Sequence, residues 1–257
     1  MKIGRISTTT GPVWVVEEDG QLLDLPDGPF SGRQRPGAAR GEVGSIRLLA
    51  PVAPSKIVCV GRNYVEHAAE HGSAVPAEPL LFLKPPSSVI GSGDAIVLPS
   101  LSRQVEHECE LALVIGRRGR DIPEDRAFEH VLGVSCANDV TARDLQRADS
   151  QWTRGKGFDT FCPLGPWIVT GLSQSDVSDL ELVCRVNGEV RQQARTSQMV
   201  FTPAHLIAYI SKVMTLEPGD LILTGTPAGV SPLHPGDEVT VEIEGVGRLT
   251  NPVAEQN

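Results

Sequence analysis

Apolar positions in this chain fall in short runs broken by Gly, Pro and polar pairs, which predicts many strands and few long helices. In VWVVEEDGQLLDL two such runs flank Asp19-Gly20 and predict a hairpin. Residues 26–42 are rich in Gly, Pro and Arg and read as a loop. A soft boundary near Pro51–Pro54 divides a small N-terminal β unit, residues 1–52, from a larger unit, residues 53–257, in which the motifs become denser. SKIVCVG (55–61) and PLLFLKPP (79–86) are strand candidates. Between them, Asn63 as N-cap and Gly72 as a stop predict a helix over 64–71. QVEHECELALVIG predicts one long strand over 104–116. EHVLGVSCAND (129–139) runs apolar up to Asn138-Asp139, and TARDLQRA after it has helical character.

In the C-terminal third, Asn187-Gly188 predicts a two-residue hairpin turn. Thr202-Pro203 opens a helix with Leu206, Ile207, Ile210, Val213 and Met214 on one face. Two Pro-Gly-Asp turns then lead into strands, LILTG and EVTVEIEG. In the second, Thr240, Glu242 and Glu244 alternate with Val239, Val241 and Ile243, so one face is expected to be wet. The elements add up to an α+β, β-rich chain.

Composition narrows the partners. The 257 residues suffice for one sizeable domain, or a catalytic domain with a small appendage. A net charge of −9 argues against a nucleic-acid binder, while leaving room for a small anionic substrate held by a few placed Lys and Arg. Five cysteines without a C-x-x-C pair offer no zinc knuckle or thioredoxin-type motif. No apolar stretch approaches the roughly 20 residues of a membrane span, and the first residues, MKIGRIST, carry no apolar signal region, so a cytoplasmic location without membrane partners is expected.

Three acidic residues stand out. Glu108 and Glu110 are two apart on an expected strand, hence on one face, with roughly 6.6–6.8 Å of rise between them. The same face continues with Ala112 and Val114, so the pair is not part of a solvated stripe. Two carboxylates facing a core repel each other, and a divalent cation removes that repulsion. Asp139, at the end of its own apolar run, can deliver a third. Oxygen donors alone suit Mg²⁺ or Mn²⁺ rather than Zn²⁺. The plainer alternative makes the glutamates an exposed strand edge and Asp139 a helix N-cap.

The neighbours add chemistry. Arg143 can fork onto a carboxylate, and Gln146 follows it on the same helix face. Lys156 sits between two glycines; taken alone, it reads as a solvated loop lysine. Thr226 and the amides of GTPAG (225–229) could hold a carboxylate, without phosphate-loop spacing. His67 and Glu70 share a helix face, as a base and the acid that orients it, or as a surface pair. With His71 they also spell H-x-x-E-H, the inverted zincin motif of a zinc peptidase.

GRNYVEHAAEH, EPLLFLKP, HECELALVIG, ANDVTARDLQ, KGFDTFCPLGPW and LILTGTPAGV, in this order over residues ~55–253, resemble the fumarylacetoacetate hydrolase family. The nearest likeness is to its small members, which include acylpyruvate hydrolases, oxaloacetate decarboxylases and homoprotocatechuate-pathway isomerase/decarboxylases. The resemblance implies a mixed β-roll, a homodimer, and Mg²⁺ held by Glu108, Glu110 and Asp139. It places His67 and Glu70 on a mobile lid and Lys156 in the catalytic set, with Arg62, Tyr64, Lys84, Arg143, Gln146 and Thr226 toward substrate. Gly157 departs from the family pattern, where a Ser often follows the lysine. The activity implied is C–C cleavage of a small 2-oxo (di)acid through an enolate, foremost acylpyruvate or fumarylpyruvate hydrolysis. Oxaloacetate decarboxylation and 2-hydroxyhepta-2,4-diene-1,7-dioate isomerisation share that enolate. A non-catalytic metal-binding protein is the alternative from another class.

Overall fold

The computed structural model describes residues 1–70, 72 and 74–256. Strands hold 42% of the chain against 16% in helices, which makes it the β-rich α+β fold that the turn-punctuated pattern predicts. The largest sheet runs Ala39–Glu42, Gln21–Asp24, Gly11–Glu18, Lys2–Thr8, Cys162–Thr170, Val131–Asn138, Cys109–Ile115, Leu221–Leu223, Ile57–Gly61 and Leu80–Lys84. Leu221–Leu223 lies parallel to Ile57–Gly61, while Cys109–Ile115 is antiparallel to both its neighbours, so the sheet is mixed. The N-terminal strands join it through Lys2–Thr8, which pairs with Cys162–Thr170.

A second sheet, in the order Glu189–Arg195, Glu181–Val186, Glu238–Ile243, Gly247–Glu255 and Ile96–Leu98, packs across the first. Leu111 and Leu113 of the large sheet share a core with Leu182, Val241 and Leu249 of the second. On the other face of the same strand, Ala112 and Val114 pack with Ile57, Leu164 and Leu221. Strand Cys109–Ile115 is therefore buried on both faces, and any polar group at its start is held where water is scarce.

Local turn chemistry follows the sequence. Asp19 and Gly20 (φ 49° and 80°) and Asn187 and Gly188 (φ 53° and 81°) take the left-handed backbone of tight hairpins. The Thr202 hydroxyl accepts the His205 N–H at 3.2 Å and starts helix Pro203–Val213.

Several expectations fail for tertiary reasons. The long strand over 104–116 is two: Val105–Glu106 pairs with Thr141–Ala142 in a small sheet, and Cys109–Ile115 joins the large one. The chain turns at His107-Glu108 because the Glu108 N–H donates to the Asn138 side chain (2.9 Å) and the Glu108 carbonyl accepts the Asp139 N–H (2.8 Å). Ala39–Glu42, expected as loop, is an edge strand without apolar alternation, supported by its ladder to Gln21–Asp24. Asn63 does not serve as a simple cap: its side chain donates to Phe201 O and Thr224 O and accepts the Phe201 N–H. The helix after it spans Val65–Glu70, and His71 lies outside the described residues. Val213 leaves the apolar face of its helix at 58% exposure. Thr240, expected on a wet face, is buried and meets the Thr250 hydroxyl at 3.1 Å.

Gly225 follows strand Leu221–Leu223 at φ +99°, and a Cβ there would lie 2.7 Å from the Asn63 Cβ. Gly225→Ala is expected to cost about 1–3 kcal/mol, from left-handed strain plus the clash. Urea unfolding measures it, and a loss below about 0.5 kcal/mol would mean that the close approach is not needed.

Candidate active site

Three carboxylates meet at the start of the buried central strand. Oxygen atoms of Glu108, Glu110 and Asp139 lie within 4.8 Å of one another, and all three residues are buried. Backbone pairing sets this up. Cys109 pairs with Asn138 across neighbouring strands, which puts Glu108 and Asp139 at adjacent strand ends, while Glu110 projects from within the strand. The group could hold a metal ion.

Cations surround the cluster. Lys156 Nζ donates to Glu108 Oε2 (2.8 Å) and Asp139 Oδ2 (2.6 Å), and Lys84 Nζ donates to Asp139 Oδ1 (2.6 Å). Lys156 is thus no solvated loop lysine. It ends the one-turn helix Thr153–Lys156 at 2% exposure. Arg143 Nε donates to Glu106 Oε2 (2.7 Å), its Nη1 to Gln146 Oε1 (2.6 Å), and its Nη2 to Glu108 Oε1.

Burial and charge compete at each group. Burial disfavours the Glu108 carboxylate, but Lys156 and Arg143 outweigh it and hold its pKa well below the usual carboxylate range. Burial likewise opposes the Lys156 ammonium, and Asp139 with Glu108 more than offset that, raising its pKa. Glu110 goes the other way. Burial and the neighbouring charges of Asp139 and Glu108 push its carboxyl well above the usual range, against the Lys156 charge and the N–H of Gly225, 2.7 Å from Oε2.

A cleft of about 460 Å³ opens onto this cluster, with Glu108, Lys156, Arg143 and Gln146 in its walls. Arg62, Thr226, His67 and Glu70 line it too. His67 Nδ1 stands 3.5 Å from Glu70 Oε2. Glu70 also accepts the Gly229 N–H at 3.2 and 3.3 Å, which ties helix Val65–Glu70 to the GTPAG loop. Arg62, in left-handed backbone at φ 58°, lies over the Trp152 ring at 5.9 Å.

Two expected substrate residues sit elsewhere. Tyr64 is buried in the core between the sheets and does not line the cleft. Lys84 lies beneath the floor, on Asp139 and the Val140 carbonyl (3.1 Å). Three contributors were not expected. Glu106 anchors Arg143, and its place two residues before Glu108 in EHECE is a sequence signal for it. Trp152 carries Arg62, and Gln192 donates to Thr226 Oγ1 at 2.8 Å; no local pattern marks either.

Known proteins resemble this chain in sequence and fold. The family model described as fumarylacetoacetate (FAA) hydrolase C-terminal matches residues 56–254. A mitochondrial oxaloacetate tautomerase of Homo sapiens is 47% identical over 246 residues, covering 91% of this chain and 78% of that one. The solved structure of 5-carboxymethyl-2-hydroxymuconate delta-isomerase from Mycobacterium smegmatis is 47% identical with a TM-score of 0.89, covering 100% of both chains. That of 2-hydroxyhepta-2,4-diene-1,7-dioate isomerase from Mycobacterium marinum is 44% identical with a TM-score of 0.87, covering 100% of this chain and 99% of that one. With nearly four-fifths of its length matched by the family model and these relatives at over 40% identity, the chain belongs to the fumarylacetoacetate hydrolase family of enzymes acting on small oxo-acids.

Proposed function

We propose that this enzyme holds Mg²⁺ or Mn²⁺ between Glu108, Glu110 and Asp139 and moves protons beside the 2-oxo group of a small oxo-acid. The observation that carries the reading is the buried oxygen-only trio beneath a cleft that also contains the His67–Glu70 pair. The donor set fits a hard divalent cation, and Glu110, whose charge is suppressed by its neighbours, is the group that such a cation would relieve. A cation held there by Glu108, Glu110 and Asp139 would supply Lewis acidity toward a 2-oxo group and so favour its enolate form.

The chain's own residues supply the rest. Glu70 faces His67 Nδ1, which leaves proton transfer to Nε2. Lys156 gives two N–H groups to Glu108 and Asp139 and keeps a third for the substrate oxygen or for returning a proton. Arg143 spends three of its five N–H groups on Glu106, Gln146 and Glu108, and the other two can take a substrate carboxylate. Arg62, propped on Trp152, suits a second carboxylate. Support comes from relatives named for oxaloacetate tautomerisation and for isomerisation of an unsaturated diacid and an unsaturated triacid, reactions that amount to proton shifts. Acylpyruvate hydrolysis is the second reading, favoured by the same His67–Glu70 pair, which could activate a water at Nε2.

Two outcomes test this. Purified enzyme with Mg²⁺ is expected to act on oxaloacetate, acetylpyruvate, fumarylpyruvate or a 2-hydroxyhepta-2,4-diene-1,7-dioate and to lose that activity with chelator. His67→Ala should slow turnover by roughly 10²–10⁴-fold, and unchanged rates would remove His67 from the proton-transfer role. The second concerns Glu110. Because folding raises its pKa, the metal-free protein loses stability as pH climbs past the ordinary value of 4.5. Glu110→Gln should therefore raise the Tm of metal-free protein at pH 7 while weakening Mg²⁺ binding by more than about tenfold. A lower Tm with intact Mg²⁺ affinity would contradict the assignment.

A further inference from the structure

Gln192 lies on strand Glu189–Arg195 of the second sheet, buried to 1% exposure, and reaches across to the loop that carries Thr226. Its orientation is set by two groups that each play one role. The Cys109 backbone N–H can only donate, so the amide atom 3.0 Å from it is Oε1. The Pro227 carbonyl can only accept, so the atom 2.7 Å from it is Nε2. Three consequences follow from hydrogen-bond inventory alone.

First, His107 Nδ1, 2.9 Å from Oε1, must carry its proton, and His107 Nε2 then accepts from the Ser231 hydroxyl at 2.9 Å. Second, both amide protons of Gln192 are spent, one on Pro227 O and one on Thr226 Oγ1 at 2.8 Å. Third, Thr226 Oγ1 is an acceptor in that bond, so its own proton must go to something else. Thr226 lines the cleft, and the thiol of Cys109 beside it is a weak acceptor that an anionic oxygen outcompetes.

We propose that Gln192, locked by His107 and the Cys109 N–H, is a positioning residue that commits the Thr226 hydroxyl to donate to an anionic oxygen of the substrate. This deepens the oxo-acid reading above and rests on it. It also links two parts of the site: the amide gripped by Gln192 lies between Glu108 and Glu110, and its other end holds the GTPAG loop. Without that grip the hydroxyl could turn and offer a lone pair where a donor is required.

The test compares Gln192→Glu with Gln192→Met, alone and combined with Thr226→Val. Readouts are KM and kcat for oxaloacetate with Mg²⁺, and the Kd of oxalate with Mg²⁺ by calorimetry; Tm verifies folding. Glutamate keeps the two bonds to Cys109 and His107 but presents an acceptor to Thr226 and draws its proton out of the cleft. Methionine loses all four bonds but leaves that proton free to donate. Positioning therefore predicts that Gln192→Glu is worse for KM and oxalate Kd, by tenfold or more, with kcat moved less. Adding Thr226→Val should cause little further loss. A merely structural role predicts the reverse ranking, with Gln192→Met worse and the double variant multiplicative, and that result overturns the inference. If Gln192→Glu fails to fold, the Gln192→Met and Thr226→Val cycle decides: independent, multiplicative losses overturn it. Wild type that neither binds oxalate nor processes any of the four oxo-acids named above overturns both the oxo-acid reading and this inference, whereas an active wild type with the reversed ranking overturns this inference alone.

Discussion

Glu108 and Asp139 are carboxylates with almost no exposed surface, and an isolated charge so placed costs several kcal/mol. Lys156 spans them both, Lys84 takes the second oxygen of Asp139, and Arg143 takes the second oxygen of Glu108. Much of the local structure follows from supplying these cations. The helix Thr153–Lys156 exists to bring one lysine in, and Glu106 exists to steady the arginine. Glu110 is compensated only in part: no cation bonds it directly, and Lys156 at a distance and one backbone N–H do not offset its burial and two negative neighbours. The imbalance at Glu110 is the strongest physical reason to expect a cation in the cluster.

The two packed sheets make that arrangement rigid. Strand Cys109–Ile115 is held by core on both faces and by neighbours on both edges, so the carboxylates at its start have little freedom to swing apart. The His67–Glu70 pair is placed on a shorter piece. Helix Val65–Glu70 carries His67, the proposed base, and is fastened to the GTPAG loop by Glu70 on the Gly229 N–H. A rigid floor with the proposed base on a short latched helix suits a reaction whose charge develops at one fixed oxygen while protons move around it.

Legibility in the sequence divides along the reach of each signal. Asp19-Gly20, Asn187-Gly188 and Thr202-Pro203 act within a few residues, and each produced the turn or cap that its chemistry implies. Glu108, Glu110 and Asp139 were legible because strand spacing brings the first two to one side and apolar neighbours exclude a solvated stripe. The break at His107-Glu108 was not, since it depends on the side chain of Asn138, thirty residues away. Lys156 has only a weak local signal for the same reason: glycines on both sides suggest a loop, and only the distant carboxylates explain its burial. Tyr64 stands within a site motif yet its ring belongs to the core, because adjacent residues at the start of a helix face different layers. Gln192 has no local signature at all, its partners being on other strands and loops.

The most direct test of the account is an anomalous difference map from crystals grown with Mn²⁺ and oxalate. The account predicts one strong peak among the carboxylates of Glu108, Glu110 and Asp139, with oxalate beside it in the cleft. A map with no peak there, or with the metal on His67 and Glu70 while Lys156 and Lys84 still hold the carboxylates, would contradict it.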